Sequence, residues 1–200
     1  MNIFNGEEFS ELRKTLNENA KEIEYSLEYA RDDFLNRMKD LVNRDRRGEV
    51  VFGVVRPNGK LILVTCEEYP EGIFRVPTGG INYGEDILKA VQRETMEELG
   101  LKTEILSFGG VIKIRFACNN DSEMFYCYLF LLKEVSGKLL EDATDIEVSK
   151  VIEADYTNIC KAANTLDNIE GSWADWGKFR SVTTKAIAEM YNTYLHLIQK

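Results

Sequence analysis

The stretch that most constrains the fold runs from two adjacent glycines into a helix with a fixed acidic pattern. Gly79 and Gly80 predict a loop, and a helix is predicted from about Glu85 to Leu99. Gly100 follows, and glycine is the residue best suited to end a helix in a left-handed conformation. Leu88, Val91, Thr95 and Leu99 form one stripe of this helix. That stripe is predicted to face the core.

Short apolar runs surround this helix and predict strands. Residues 50–55 and 61–64 are apolar, and Pro57-Asn58-Gly59 between them is a turn signal, so the two runs predict a hairpin. Further strands are predicted at 74–77, 110–117, 124–134 and 148–153, and a last helix at 173–198. Strands with a helix between them and helices at both ends indicate a mixed α/β (α+β) layer fold.

The first 47 residues carry an apolar stripe with helical spacing. No glycine or proline occurs from Glu7 to Arg47, and apolar residues recur at steps of three and four. This pattern predicts one long helix, or two helices broken near Asp32-Asp33. The stripe fits two partners, the rest of the chain or a second copy in a homodimer. We therefore predict a helical N-terminal extension (1–47), a central domain (48–155) and a C-terminal helical segment packed on it (156–200).

The charge balance limits the classes of ligand. The net charge is −9, and such a surface repels the backbones of nucleic acids, so no nucleic-acid partner is expected. It also repels phosphorylated small molecules, unless a metal ion or a local basic patch reverses the field.

The cysteines and the lengths of the apolar runs indicate where in the cell the protein is expected. Cys66, Cys118, Cys127 and Cys160 contain no C-x-x-C pair, and His196 is the one histidine, so a zinc site is poorly supported and reduced thiols are expected. The start of the sequence lacks the basic-then-apolar order of a secretory signal. No apolar run approaches the roughly 20 residues that span a membrane. We expect a cytoplasmic location and no membrane partner.

Three glutamates of the central helix carry the chemical signal. Glu94, Glu97 and Glu98 lie at steps of three and four, so their carboxylates meet on one side of one turn. Like charges at these spacings are unfavourable, and the negative end of the helix dipole adds to the cost. A hard divalent cation would offset both penalties, and Arg93 can pair with Glu97. The alternative interpretation is a solvated helix face.

The complete stretch follows the pattern G-x5-E-x7-R-E-U-x-E-E-x-G-U, in which U is a bulky aliphatic residue. The matching residues are Gly79, Glu85, Arg93, Glu94, Glu97, Glu98, Gly100 and Leu101. In this pattern and spacing the sequence resembles the Nudix hydrolases, over about residues 48–153. Thr95 departs from the pattern, but its methyl can still pack and its hydroxyl can bond a carbonyl of the preceding turn.

The resemblance implies a fold, a reaction and a metal site. The fold is a mixed β-sheet between helices, and the reaction is attack of water on a diphosphate (phosphoanhydride) bond of a nucleoside diphosphate linked to another moiety. Mg²⁺, or Mn²⁺, would be held by Glu94, Glu97 and Glu98, with the Gly79 carbonyl as a further ligand. Arg93 would orient these acids. The residues implied to support the motif are Gly80, Glu85 and Gly100.

The general base and the substrate contacts are less constrained. In this family the base is a motif glutamate or an acid of a later loop. The later candidates are Glu141, Asp142, Asp145 and Glu147. Glu147 and Asp145 are preferred because they precede the strand predicted at 148, and ordinary loop acids are the alternative. Arg75, Lys113 and Arg115 are candidates for neutralising phosphates, or else they are surface cations.

Two further features leave alternatives open. The segment 173–180 is rich in aromatic and cationic residues, which fits a lid over the pocket or an anchor for the last helix, and the anchor is favoured. A non-catalytic nucleotide sensor that signals through its helical arms is the main competing function. An isomerase of isoprenoid diphosphates ranks last, with Cys66 as its candidate reactive cysteine. The complete acidic set favours the hydrolase.

Overall fold

The chain forms a layered α/β structure, seen in a computed structural model that describes residues 4–145 and 147–198. In chain order the elements are α1 (Gly6–Leu16), β1 (Lys21–Glu28), α2 (Asp33–Arg44), β2 (Arg46–Val55), β3 (Leu61–Thr65), β4 (Thr78–Asn82), α3 (Ile87–Leu99), β5 (Leu101–Cys118), β6 (Asp121–Gly137), β7 (Lys150–Ala154), α4 (Tyr156–Asp167) and α5 (Ala174–Ile198). A short 3₁₀ turn, Gly171–Trp173, precedes α5. No helix in these two ranges has both the length and the apolar character that crossing a membrane demands.

The strands form one mixed sheet. Their order is β1-β5-β6-β2-β3-β7, and β4 pairs with β2 beside this path. β1 is parallel to β5 and β2 is parallel to β6, whereas the other pairs are antiparallel. The predicted hairpin is present as β2 and β3. β4 lies along β2, with Gly79 opposite Val50 and Gly80 opposite Glu49.

Alternating side chains of the central strands supply two apolar layers. Val50, Phe52 and Val54 of β2 pack in the layer that contains α1 and α3. Val51 and Val55 pack in the opposite layer, which contains α2, α4 and α5. Successive residues of a strand point to opposite faces, so both faces of the sheet are covered by helices. The predicted sheet between helices is confirmed.

The prediction of a wholly helical N-terminal extension is wrong over residues 21–28. This segment is β1, which pairs along its length with β5, from Lys21 opposite Gly110 to Glu28 opposite Ala117. Ile23, Tyr25 and Leu27 alternate with polar residues, and over eight residues this period of two is hard to separate from steps of three and four. Helices α1 and α2 do form on either side, and α2 begins at Asp33, where a break was predicted.

Most of the N-terminal stripe is covered by the chain itself. Phe9 and Leu12 of α1 are buried in one layer, and Phe34, Leu35 and Met38 of α2 are buried in the other. Both helices therefore pack on the sheet. The homodimer and the division into three segments stay predictions.

The strand predicted at 74–77 forms instead at Thr78–Asn82. Arg75 makes one isolated bridge to Val64, and Pro77 cannot donate to a sheet because it has no N–H. Gly79 and Gly80, predicted in a loop, consequently lie in β4 at the edge of the sheet.

The last helix is anchored by aromatic side chains. Trp176 and Phe179 are buried, and the Phe179 ring centroid lies 5.1 Å from that of Phe116, 6.2 Å from that of Phe125 and 6.3 Å from that of Phe34. Phe179 thus joins α5 to α2, β5 and β6. The anchor interpretation of segment 173–180 agrees with this packing.

Replacing Phe179 by alanine should reveal how much this contact stabilises the fold. We expect Phe179→Ala to lower the free energy of unfolding by about 3–5 kcal/mol, the usual cost of emptying a buried aromatic site. Lys178→Ala, at the exposed neighbouring position, should change it by roughly 0.5 kcal/mol or less. Urea denaturation measures both, and equal midpoints for the two variants would contradict the packing role.

Candidate active site

Helix α3 is held at both ends by local sequence. Asp86 is its N-cap and accepts a hydrogen bond from the Lys89 amide at 3.0 Å. Gly100 ends the helix with a φ of 69°, and its amide donates to the Met96 carbonyl at 2.9 Å. A Cβ at Gly100 would lie 2.6 Å from the Ala143 nitrogen, so conformation and space both require glycine. The predicted end of the helix is confirmed.

Arg93 joins the loop before α3 to the acids on it. Its guanidinium donates to both oxygens of Glu85, at 2.8 and 2.9 Å, and to the Gly80 carbonyl at 2.9 Å. It also donates to Oε1 of Glu94 at 2.7 Å and to Oε2 of Glu97 at 2.8 Å. The hydrogen bond from Arg93 lowers the pKa of Glu85. Arg93 therefore fixes three carboxylates at once.

Gly79 leaves the space that Glu94 occupies. A Cβ on Gly79 would lie 2.0 Å from Cγ and 2.3 Å from Oε2 of Glu94, distances at which neither residue could keep its place. Burial raises the pKa of Glu94, and the bond from Arg93 opposes this shift. The neighbouring Thr95 hydroxyl donates to the Val91 carbonyl at 2.6 Å, so the residue that departs from the motif is accommodated as predicted.

Glu98 lies apart from this network and is nearly enclosed. The residue is 4% exposed, and its Oε2 has no hydrogen-bond partner in the part of the chain that the structure describes. Burial raises the pKa of Glu98 to about 8, although the nearby positive charge of Arg75 opposes the rise. The negative charges of Glu94, Glu147 and Asp145 also raise this pKa.

The loop after β6 wraps the end of α3. The amides of Thr144 and Asp145 donate to the Glu97 carbonyl at 3.0 and 2.9 Å. Asp145 Oδ1 in turn accepts from the Glu147 amide at 2.9 Å. These bonds satisfy a carbonyl at the helix end and bring the two preferred base candidates beside the acidic turn.

The other two base candidates of this loop interact with Lys138. Glu141 pairs with its ammonium at 3.4 Å, and Asp142 accepts from its amide at 3.0 Å. Glu141 is well exposed, with 73% of its side-chain surface accessible. The structure therefore separates Asp145 and Glu147 from Glu141 and Asp142.

A cavity of about 380 Å³ lies where Glu147 meets the loop after β3. Its lining residues are Cys66, Glu67, Glu68, Tyr69 and Glu147. Sequence reasoning missed Glu67, Glu68 and Tyr69 as site residues, because an irregular loop has no periodicity that would mark a cavity wall. The rings of Trp173 and Trp176 pack on Tyr69, with centroids 5.6 and 4.5 Å away, and hold it in place.

The three predicted phosphate contacts are in different surroundings. Arg75 is buried, and its positive charge acts on the pKa of Glu98. It donates to the Tyr69 hydroxyl at 2.9 Å, to the Val76 carbonyl at 2.9 Å and to the Thr78 hydroxyl at 3.1 Å. On β5, Lys113 pairs with Glu22, and Arg115 pairs with Glu28 at 2.9 Å. The structure brings Arg75 to the motif, while Lys113 and Arg115 are paired with acids of β1.

The acidic residues of α3 offer the carboxylate oxygens that a hard divalent cation requires as ligands. Among the described residues, Oε2 of Glu98 is buried and has no hydrogen-bond partner, and Arg93 takes only one oxygen each from Glu94 and Glu97. Carboxylate oxygens are the ligands that Mg²⁺ prefers. Within residues 4–145 and 147–198 no three His, Cys, Asp or Glu side chains are already gathered in an arrangement that could hold a metal ion. The hydrogen bonds of Glu94 and Glu97 to Arg93 account for their present orientation.

Comparison with known proteins agrees with this motif. The family model of the NUDIX domain matches residues 45–173, more than half of the chain. The chain therefore belongs to the Nudix family.

Individual relatives carry related names. Nudix hydrolase 8 of Arabidopsis thaliana is 36% identical over 107 residues, which cover 50% of this chain and 28% of that protein. The ADP-ribose pyrophosphatase of Methanocaldococcus jannaschii is 26% identical over 127 residues, 63% of this chain and 72% of that protein. Among solved structures, a NUDIX hydrolase from Nitrosomonas europaea has a TM-score of 0.46 and 17% identity, covering 66% of this chain and 90% of that one.

The raised pKa of Glu98 predicts a distinctive pH dependence of stability in metal-free protein. Between the ordinary value of 4.5 and the folded value of about 8, the folded state keeps a proton that the unfolded state releases. The contribution of Glu98 to stability therefore falls as the pH rises through this window. In EDTA, we expect the stability of Glu98→Gln to increase relative to that of the parent as the pH rises from 5 to 8. Urea denaturation at each pH measures this difference.

The exposed Glu104 on β5 provides the control for this experiment. Glu104→Gln should follow the parent across the same pH range. A difference between the parent and Glu98→Gln that stays constant with pH would show that Glu98 titrates normally.

Proposed function

We propose that this protein hydrolyses a phosphoanhydride bond in a nucleoside diphosphate linked to another moiety, with Mg²⁺ or Mn²⁺ as its cofactor. The observation that carries the proposal is the acidic turn of α3, in which Arg93 orders Glu94 and Glu97 while Oε2 of Glu98 is buried and has no partner in the described part of the chain. The proposed metal ligands are Glu94, Glu97, Glu98 and the Gly79 carbonyl. When bound, the cation would neutralise the diphosphate and acidify the attacking water.

The protein groups around this turn have separable tasks. Arg93 orients Glu94 and Glu97, because its guanidinium donates a hydrogen bond to one oxygen of each carboxylate. Glu98, with its pKa raised to about 8 by burial, has to lose a proton before it can act as a ligand. The positive charge of Arg75 favours the loss of this proton from Glu98.

Glu147 is our proposed general base. It is exposed, lines the cavity and lies near enough to Glu98 to influence its pKa. Asp145 already accepts the Glu147 amide, so it is better placed to position Glu147 than to accept a proton from water. A carboxylate in this position can take up the proton of the attacking water.

The cavity beside Glu147 is the proposed site for the group linked to the nucleoside diphosphate. Its carboxylates, Glu67, Glu68 and Glu147, can accept hydrogen bonds from sugar hydroxyls, and Tyr69 offers a ring to pack against. The Methanocaldococcus jannaschii relative is named an ADP-ribose pyrophosphatase. We therefore propose a nucleoside diphosphate sugar, with ADP-ribose as the first compound to assay.

The metal-dependent reaction is tested by a substrate panel. We expect the protein to hydrolyse ADP-ribose or another sugar nucleotide with Mg²⁺, ahead of dinucleoside polyphosphates and nucleoside triphosphates, and to lose activity in EDTA. Glu98→Gln should lower kcat/KM by about 100-fold or more, since it removes a proposed ligand. Glu104→Gln should match the parent. Tight binding in calorimetry without turnover of any compound would instead support a nucleotide sensor.

The assignment of the base is tested within one loop. Glu147→Gln should lower kcat by about 100-fold with little change in KM, the usual effect of losing a general base. Glu141→Gln makes the same chemical change at an exposed position paired with Lys138, and it should leave kcat unaltered. If Glu147→Gln retains at least half of the parent kcat, the base lies elsewhere.

A further inference from the structure

Arg47 connects the first helix to the acidic motif. Its guanidinium donates to both carboxylate oxygens of Glu8 in α1, each at 2.8 Å. The same side chain donates to the Glu85 carbonyl at 2.6 Å. The Arg47 and Glu8 side chains are only 16% and 20% exposed. A paired fork of this kind fixes geometry more strongly than a single surface ion pair does.

The connection continues through Glu85 to the acidic turn. The Glu85 carboxylate accepts two hydrogen bonds from Arg93 and one from the Asn82 amide, at 3.0 Å. Arg93 then holds Glu94 and Glu97. A continuous series of charge-assisted hydrogen bonds therefore runs from α1 to two of the proposed metal ligands.

A β-bulge explains how Arg47 reaches the motif. The pairing of β2 with β4 shifts register between Arg46 and Gly48, which marks Arg47 as the extra residue. Bulges of this type turn a side chain away from its regular direction. Arg46 packs against Gly80, where a Cβ would lie 2.5 Å from its Nε, so two consecutive arginines contact the same motif.

We propose that Glu8 and Arg47 are positioning residues, through which α1 sets the geometry of Glu85 and Arg93 and hence of the acidic turn. The kinetic part of this inference rests on the proposed hydrolase function. Its alternative is that α1 contributes stability alone, through the buried side chains of Phe9 and Leu12.

Two matched substitutions in α1 separate these roles. Glu8→Gln removes the charge that Arg47 binds and keeps nearly the same shape. Glu7→Gln removes the same charge from the same first helical turn, at an exposed residue whose side chain makes no hydrogen bond within the described ranges. Both variants change the helix-dipole interaction alike, and both leave Phe9 and Leu12 in place.

The first measurement is amide hydrogen exchange, which needs no catalysis. The Asn82 amide, which donates to Glu85, should exchange about 5-fold faster or more in Glu8→Gln, because local opening of the loop becomes easier. In Glu7→Gln it should exchange as in the parent. Equal exchange of this amide in the two variants would overturn the proposal, whether or not the protein proves to be a hydrolase.

The second measurement is kinetic and uses a double-mutant cycle. Glu8→Gln should lower kcat by about 5- to 20-fold with KM near the parent value, and Glu7→Gln should change neither. In a Glu85→Gln background, where the connection to Arg93 is already weakened, Glu8→Gln should change kcat less than about 2-fold. A full effect of Glu8→Gln in that background would reject transmission through Glu85. Absence of hydrolysis in the parent would refute the proposed function and leave the exchange measurement decisive.

Discussion

The hydrogen bonds of the Arg93 guanidinium are the interaction on which the motif depends. Acidic side chains close together on one helix repel each other, and burial adds a desolvation cost for each charge. Arg93 offers several N–H groups in a rigid plane, and it distributes them over Glu85, Glu94, Glu97 and the Gly80 carbonyl. A lysine could not replace it, because one ammonium cannot span these acceptors at fixed angles. The loop and the helix are therefore held as one unit.

Much of the fold could be predicted because its patterns are long or carry turn residues. The α3 helix has a full apolar stripe and ends at Gly100, and the hairpin has a Pro57-Asn58-Gly59 turn. β1 could not be predicted, because its eight residues show a period that also fits a helix, and what stabilises the strand is pairing with β5, about ninety residues later in the chain. The sequence within β1 does not indicate which distant strand it will pair with.

The helical position of the three acids could also be predicted, since the 3.6-residue period places Glu94, Glu97 and Glu98 within one turn of α3. The residues that surround this turn could not be predicted from the sequence. Arg75, Lys113 and Arg115 were equal candidates by charge, and only the tertiary fold distinguishes buried Arg75 from two cations paired with β1. The pair of Arg47 and Glu8 likewise depends on the packing of α1 against the sheet, which periodicity alone does not specify.

The hydrogen bonds of Arg75 explain why this arginine does not occupy the carboxylate of Glu98. Arg75 directs its N–H groups to Tyr69, Val76 and Thr78, and none of its hydrogen bonds goes to Glu98. A direct ion pair would satisfy the Glu98 carboxylate and reduce its attraction for a cation. Without a hydrogen bond between the two side chains, the positive charge of Arg75 instead moderates the pKa of Glu98 that burial raises, and Oε2 keeps no partner among the described residues. Such an unsatisfied buried oxygen destabilises the folded protein, and the proposed metal ion would supply the partner that it lacks.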